Sequence, residues 1–245
     1  MSVRAVDFIS EFDPDFRTSI RPATDGEIER LQNVVGRSLP RAYHEFLRSF
    51  GNGMDWVEIF DANFDIQTIT EYYEKSTWRP PDQYLLIGLA TEDPFFHIHL
   101  QITDNEPPRV VAFPDGSSAK DFQADIIDTW AHPIAGSLDE MMCTYAYRRL
   151  KLPSLPFHAK FAVENVGIDD ISTMTKELGF DEQWFSNAWT HVGNRHDAAL
   201  IAFKPDRKRM TIDLACSTIE SAESLDETLN KKIENVECIS KIHHQ

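Results

Sequence analysis

The apolar positions of this chain change period along its length, and each change predicts a different element. Thr24-Asp25-Gly26-Glu27 has the spacing of a capping box, in which threonine accepts from the third helical N–H and glutamate reaches back. Ile28, Leu31, Val34 and Val35 then recur at helical spacing, and Gly36 supplies the left-handed residue that closes a helix. Leu39-Pro40 restarts the chain, because proline is tolerated in a first helical turn. Tyr43, Phe46, Leu47 and Phe50 form the next apolar stripe, which Gly51-Asn52-Gly53 ends. After a short apolar segment, Trp56 to Phe60, the positions Ile66, Ile69, Tyr72 and Tyr73 predict a third helix.

Beyond Pro80-Pro81 the texture becomes that of a sheet. Tyr84 to Ile87, Phe96 to Leu100 and Arg109 to Phe113 are short runs rich in branched and aromatic residues, parted by turn signals such as Asp104-Asn105 and Asp115-Gly116. Ser137 and Glu140 open another capping box, and Leu138, Met141, Met142, Tyr145 and Leu150 predict a closing helix. Helices at both ends of an antiparallel meander make an α+β domain. Two prolines in Pro153-Ser154-Leu155-Pro156 stop that helix, so the domain boundary is expected there, giving domains 1–153 and 154–245. The second domain reads as strand (His158 to Val163), helix (Asp169 to Leu178), strands (Trp184 to His191, Ala199 to Phe203 and Arg209 to Ala215), helix (Ser221 to Ile233) and strand (Val236 to Ile242). Joining the two middle strands around Gly193-Asn194 gives βαββαβ, a smaller α+β domain of ferredoxin-like plan.

Charge narrows the function. Twenty-four basic against 40 acidic side chains give a net charge of −16, which argues against direct binding to nucleic acid or an anionic membrane. The acidity is uneven: residues 1–153 hold 14 basic and 25 acidic side chains, and the remainder hold 10 and 15. Three scattered cysteines indicate neither a disulfide framework nor a zinc site. With no secretory leader pattern and no apolar run long enough to span a bilayer, a cytoplasmic setting is expected.

The stretch Ala23 to Met54, ATDGEIERLQNVVGRSLPRAYHEFLRSFGNGM, resembles the opening signature of the SUKH superfamily, which includes fungal cell-wall-assembly regulators and bacterial immunity proteins. The matching elements are Gly36, Leu39-Pro40, Tyr43, Phe46-Leu47 and Asn52-Gly53, and the later Ile134 to Met142 is similar to the family's final helix. The resemblance spans about residues 20–150. Thr91-Glu92-Asp93-Pro94 stands where the family carries a Gly-Asp turn. What the resemblance implies is a SUKH-like fold and binding without catalysis: an immunity protein that neutralises a toxin, a nuclease above all, by stoichiometric contact. The alternative it implies is an intracellular scaffold or regulator. Acidity agrees with the former, since a nuclease presents Lys and Arg to phosphate.

The expected contact surface is the run Asp55, Glu58, Asp61, Asp65, Glu71 and Glu74, which contains no Lys or Arg and is interleaved with Trp56, Phe60, Phe64, Tyr72 and Tyr73. Aromatic anchors in a charged rim are what a binding hot spot uses, although the rings serve equally as core. Trp56 is the anchor taken from that run, and Glu92 and Asp93 in the departing loop join the set. Asp121, Asp125 and Asp128 would line one face of a helix as a solvated acidic face. His97 and His99 alternate on a strand and could share a metal with Asp93 or Asp104, but two ligands without a third at defined spacing are weak, and no metal or cofactor is expected. No nucleophile elbow, phosphate-cradling glycine loop or H-E-x-x-H pattern occurs, so no enzymatic activity is expected.

Overall fold

The computed structural model describes residues 3–53, 62–77, 79–90, 96–103, 108–114, 132–204, 208–233 and 236–243. By its internal contacts the chain divides into two compact units, Met1–Met141 and Met142–Gln245.

Among the described residues of the first unit, the helices up to Lys75 are α1 (Val3–Ser10), α2 (Phe16–Ser19), α3 (Asp25–Val35), α4 (Arg41–Phe50) and α5 (Ile66–Lys75). The capping box at Thr24 is formed with both its hydrogen bonds, and Gly36 closes α3 at φ +80°, a conformation that costs glycine least. Pro40 sits just before α4 rather than within its first turn. Tyr43, Phe46, Leu47 and Phe50 bury the inner face of α4, where Phe46 and Phe50 ring centroids lie 5.5 Å apart and Phe16 lies 5.8 Å from Phe50.

Five strands, β1 (Ala62–Asn63), β2 (Tyr84–Ala90), β3 (Phe96–Gln101), β4 (Arg109–Pro114) and β5 (His132–Ala135), form an antiparallel meander in chain order. Tyr84, Leu85, Leu86 and Ile87 are all buried, so β2 reads as a continuous apolar run rather than an alternating one. A register shift between Leu86 and Gly88 interrupts its ladder with β3, and the Leu86 N–H instead donates to the Tyr73 hydroxyl at 3.0 Å. Two arginines tie the end of α3 to this sheet and to α5: Arg37 donates to the carbonyls of Asp82 and Tyr84, and Arg79 to those of Val34 and Tyr73.

Helix α6 (Leu138–Ala146) begins where the Glu140 N–H donates to Ser137 Oγ at 3.1 Å and its carboxylate accepts from Gly136. The contact-based division between the units falls within it, at Met141/Met142, twelve residues before the boundary expected from the two prolines. The physical reason lies in the two turns that continue the chain beyond α6. Tyr147–Lys151 form a π-helical turn and Leu152–Ser154 a 3-10 turn. Tyr147, fully buried, donates to the Gly193 carbonyl at 3.0 Å, and the Arg148 guanidinium lies 5.9 Å from the Phe203 ring centre.

The second unit contains β6 (Phe157–Glu164), α7 (Ile168–Glu177), β7 (Asp181–Glu182), β8 (Thr190–Arg195), β9 (Ala198–Phe203), β10 (Arg209–Cys216), α8 (Ile219–Lys232) and β11 (Val236–His243). Its six strands pair antiparallel in the order β11-β6-β10-β9-β8-β7. Phe161, Val163, Leu200 and Ile212 pack with Ile171 and Met174 of α7 and Leu225 and Leu229 of α8. The expected single strand through Gly193-Asn194 is corrected: those residues lie inside β8, and the chain reverses at His196-Asp197 to pair β8 with β9. The expected strand from Trp184 is likewise displaced, beginning only at Thr190. Strands β11, β6, β10 and β9 keep the spatial order of a βαββαβ unit, and β8 and β7 extend it.

Candidate partner-binding site

Three of the acids expected to contact a partner are in the described residues, and each has a local task. Asp65 caps α5, accepting from the N–H groups of Gln67 (2.9 Å) and Thr68 (3.1 Å). Glu71 accepts from Lys75 one turn on at 2.7 Å, which lowers its pKa. Glu74 takes a forked contact from Arg30 of α3, with Nε at 3.0 Å and a terminal nitrogen at 2.8 Å. Phe64 and Tyr73 are core residues, 4% and 2% exposed. Asp55, Trp56, Glu58, Asp61, Glu92 and Asp93 lie outside the described residues, as do Phe60, Asp121, Asp125 and Asp128.

Helix α5 therefore has two working flanks. One meets α3 through Glu74–Arg30 and through Gln67, whose amide donates to Glu27 at 3.2 Å. The other carries Tyr72, half-buried, whose ring stands edge-on to His97 of β3 at 6.1 Å between centroids. On that flank β1 pairs with β2 so that Ala62 stands opposite Ala90. Ala62 and Ala90, 28 positions apart in sequence, are thereby adjacent.

Glu27 organises the other end of the acidic run. Its carboxylate accepts from the Thr24 N–H (2.7 Å) and hydroxyl (2.8 Å), from the Asn52 side-chain amide (3.1 Å) and from Gln67 (3.2 Å). These donors, the Thr24 N–H foremost, pull its pKa down to about 2. Asn52 also donates from its backbone to the Arg21 carbonyl and from its side chain to that of Pro22. The capping role of Glu27 was legible in the sequence, but its hold on Asn52 and Gln67 was not, because those residues lie 25 and 40 positions away.

The two histidines do not converge. The Ala90 N–H donates to His97 Nδ1 at 3.2 Å, placing the proton of neutral His97 on Nε2. His99 is 2% exposed, donates from Nδ1 to the His97 carbonyl at 3.1 Å and packs edge-on against Phe113, and burial pushes its pKa down to about 3. Among the described residues no group of three or more His, Cys, Asp and Glu is placed to hold a metal, and no helix is long and apolar enough to cross a membrane.

Counting charge by structural unit sharpens the asymmetry. Met1–Met141 contains 11 basic and 25 acidic side chains, a net of −14, and Met142–Gln245 contains 13 and 15, a net of −2. The acidic unit coincides with the stretch that matches the SMI1 / KNR4 family (SUKH-1), residues 22–144. The chain belongs to that family. The helix stop at Gly36, the Leu39-Pro40 restart and the Asn52-Gly53 turn all fall inside the matched SUKH-1 region, as does the whole five-stranded meander. Most of the second unit lies beyond it. No curated protein matches the chain.

Proposed function

We propose that this SUKH-1 protein is an immunity protein that binds a basic toxin, a nuclease domain above all, and neutralises it by stoichiometric contact in the cytoplasm. The observation that carries this reading is the concentration of charge: −14 of the net −16 belongs to the unit bearing the family match. A nuclease must present cations to phosphate, and an acidic cover for that surface gains both register and association rate. The proposed mode is occlusion rather than chemistry. A standard interface needs about 800 Å² per partner, which one domain of this size supplies. The test is co-purification with the product of the adjacent gene and rescue of growth when that product is expressed. Failure to bind or to protect against any neighbouring toxin overturns the proposal.

A second reading, a non-enzymatic intracellular scaffold or regulator of the cell-wall-assembly type, draws support from the separate second unit outside the family match. Isolation of the gene from any toxin gene favours it.

A further inference from the structure

Asn52 is the one asparagine of the sequence that a glycine follows. In such a pair no side chain crowds the glycine nitrogen, which reaches the asparagine Cγ more readily than a substituted residue allows. Here the pair lies where three helices meet. The Ile66 N–H donates to the Gly51 carbonyl at 2.6 Å, which brings the end of α4 against the start of α5, and Glu27 of α3 accepts from Asn52 (3.1 Å) and Gln67 (3.2 Å). Both reacting groups are occupied. The Asn52 side-chain amide donates to the Pro22 carbonyl at 3.0 Å as well as to Glu27, and the Gly53 N–H donates to the Phe50 carbonyl at 3.0 Å. The Asn52 N–H is held in turn by the Arg21 carbonyl at 2.9 Å. Gly53 stands at φ +101°, so the glycine that makes the pair reactive is not exchanged without backbone strain.

We propose that Asn52 is a deamidation site which the fold holds closed, and that its conversion to aspartate or isoaspartate releases the junction of α3, α4 and α5. In the reaction the Gly53 nitrogen gives its proton to solvent hydroxide and bonds to Asn52 Cγ, the Cγ–Nδ2 bond breaks, and ammonia leaves. Water then opens the resulting succinimide at either carbonyl. One water is consumed and one ammonia released, with no oxidant or reductant. The native arrangement opposes both partners, since Gly53 must give up Phe50 and the amide must turn away from Glu27 and Pro22. The route therefore runs through local opening, whose frequency sets the rate. Once formed, the product does not fit back. An aspartate at position 52 offers Glu27 and the Pro22 carbonyl an acceptor where each held a donor, and sets two carboxylates against each other. Isoaspartate adds a methylene to the main chain between the Arg21 and Phe50 bonds, which then lose their common register. The site is independent of the identity of any partner.

The experiment incubates the full-length protein at neutral pH and follows residue 52 by peptide mass spectrometry with isoaspartate detection, beside the same chain held unfolded in guanidinium chloride. The folded protein should lose Asn52 more slowly by about tenfold or more, because reaction waits on opening. Equal loss in the two states overturns the protection. Glu27→Ala and Thr24→Ala are then compared below both thermal midpoints. Each weakens the α3 cap, but only the first takes an acceptor from the Asn52 amide. Loss of Asn52 should be about fivefold faster in Glu27→Ala, as expected for one hydrogen bond removed, and matching rates in the two variants contradict the hold of Glu27 on the amide. For the consequence, Asn52→Asp is set beside Asn52→Ala, which removes the same donors without adding a charge. Asn52→Asp should have the lower thermal midpoint, and a midpoint equal to or above that of Asn52→Ala refutes the release of the junction.

Discussion

Replacing Tyr147 tests which unit the π-helical turn belongs to. The side chain is fully buried, and its hydroxyl lies 3.0 Å from the Gly193 carbonyl and 3.2 Å from Asn194 Oδ1. Tyr147→Phe keeps the ring and removes the donor, which costs about 0.5–1.5 kcal/mol for a buried neutral hydrogen bond. Tyr147→Ala empties the ring's volume as well, and buried aromatic-to-alanine changes cost about 3–5 kcal/mol. At about 1.4 kcal/mol per factor of ten, the phenylalanine variant should speed opening of its unit about fivefold and the alanine variant more than a hundredfold. Native-state hydrogen exchange on the intact chain reads this strand by strand. Amides of β8, β9 and β10 should lose protection in that ratio while those of β2, β3 and β4 keep theirs. Loss of protection in β2–β4 with β8–β10 unchanged would falsify the assignment of Tyr147 to the second unit and restore the boundary at 153/154.

Gly51→Ala should destabilise the first unit by about 1–3 kcal/mol, because the new methyl overlaps Ala23 Cβ and the Leu47 carbonyl and both are fixed; chemical denaturation showing an unchanged midpoint contradicts that packing. His99 makes stability fall with acid: its folded pKa of about 3 lies below the unfolded value of 6.5, so the unfolded chain binds the proton first. That contribution is complete above pH 6.5 and is lost as pH falls toward 3, and His99→Gln should flatten the stability profile in that window; an unaltered slope removes His99 from the explanation. For the toxin complex, raising salt should slow association more than it speeds dissociation, and equal sensitivity of the two rates counts against electrostatic steering.

What could be read in advance was local chemistry. The helix start at Thr24 and the stop at Gly36 are signalled within a few residues by a side chain that caps and a residue that tolerates positive φ. Strands β2, β3 and β4 announce themselves by composition for the same reason. Readings that depend on distant packing went differently. A single strand running through Gly193-Asn194 looks continuous into Phe203, and Gly193 does lie inside β8, where a Cβ would come within 3.2 Å of Phe180, but the strand does not continue. The true reversal at His196-Asp197 carries no glycine or proline, and is fixed instead by Arg195 and Ser221 converging on Asp197. The acidic run shows the same limit. Glu74 looks solvated until Arg30, 44 residues earlier, is brought against it, and Tyr73 looks like an anchor until the irregularity in β2 supplies Leu86 for its hydroxyl. Tyr72 with His97, and the pairing of Ala62 with Ala90, depend on the strand register, which no single window of sequence contains.

The bond from the Ile66 N–H to the Gly51 carbonyl brings the end of α4 against the start of α5, and Glu27 reaches both sides of it through Asn52 and Gln67. The acceptors at Arg21, Pro22 and Gly51 are backbone carbonyls, which any residue carries. Substitution at Arg21 therefore leaves its acceptor in place, whereas substitution at Glu27 removes one that Thr24, Asn52 and Gln67 share. The junction's tolerance of sequence change is uneven, lowest at Glu27 and at Gly51, where a Cβ has no room.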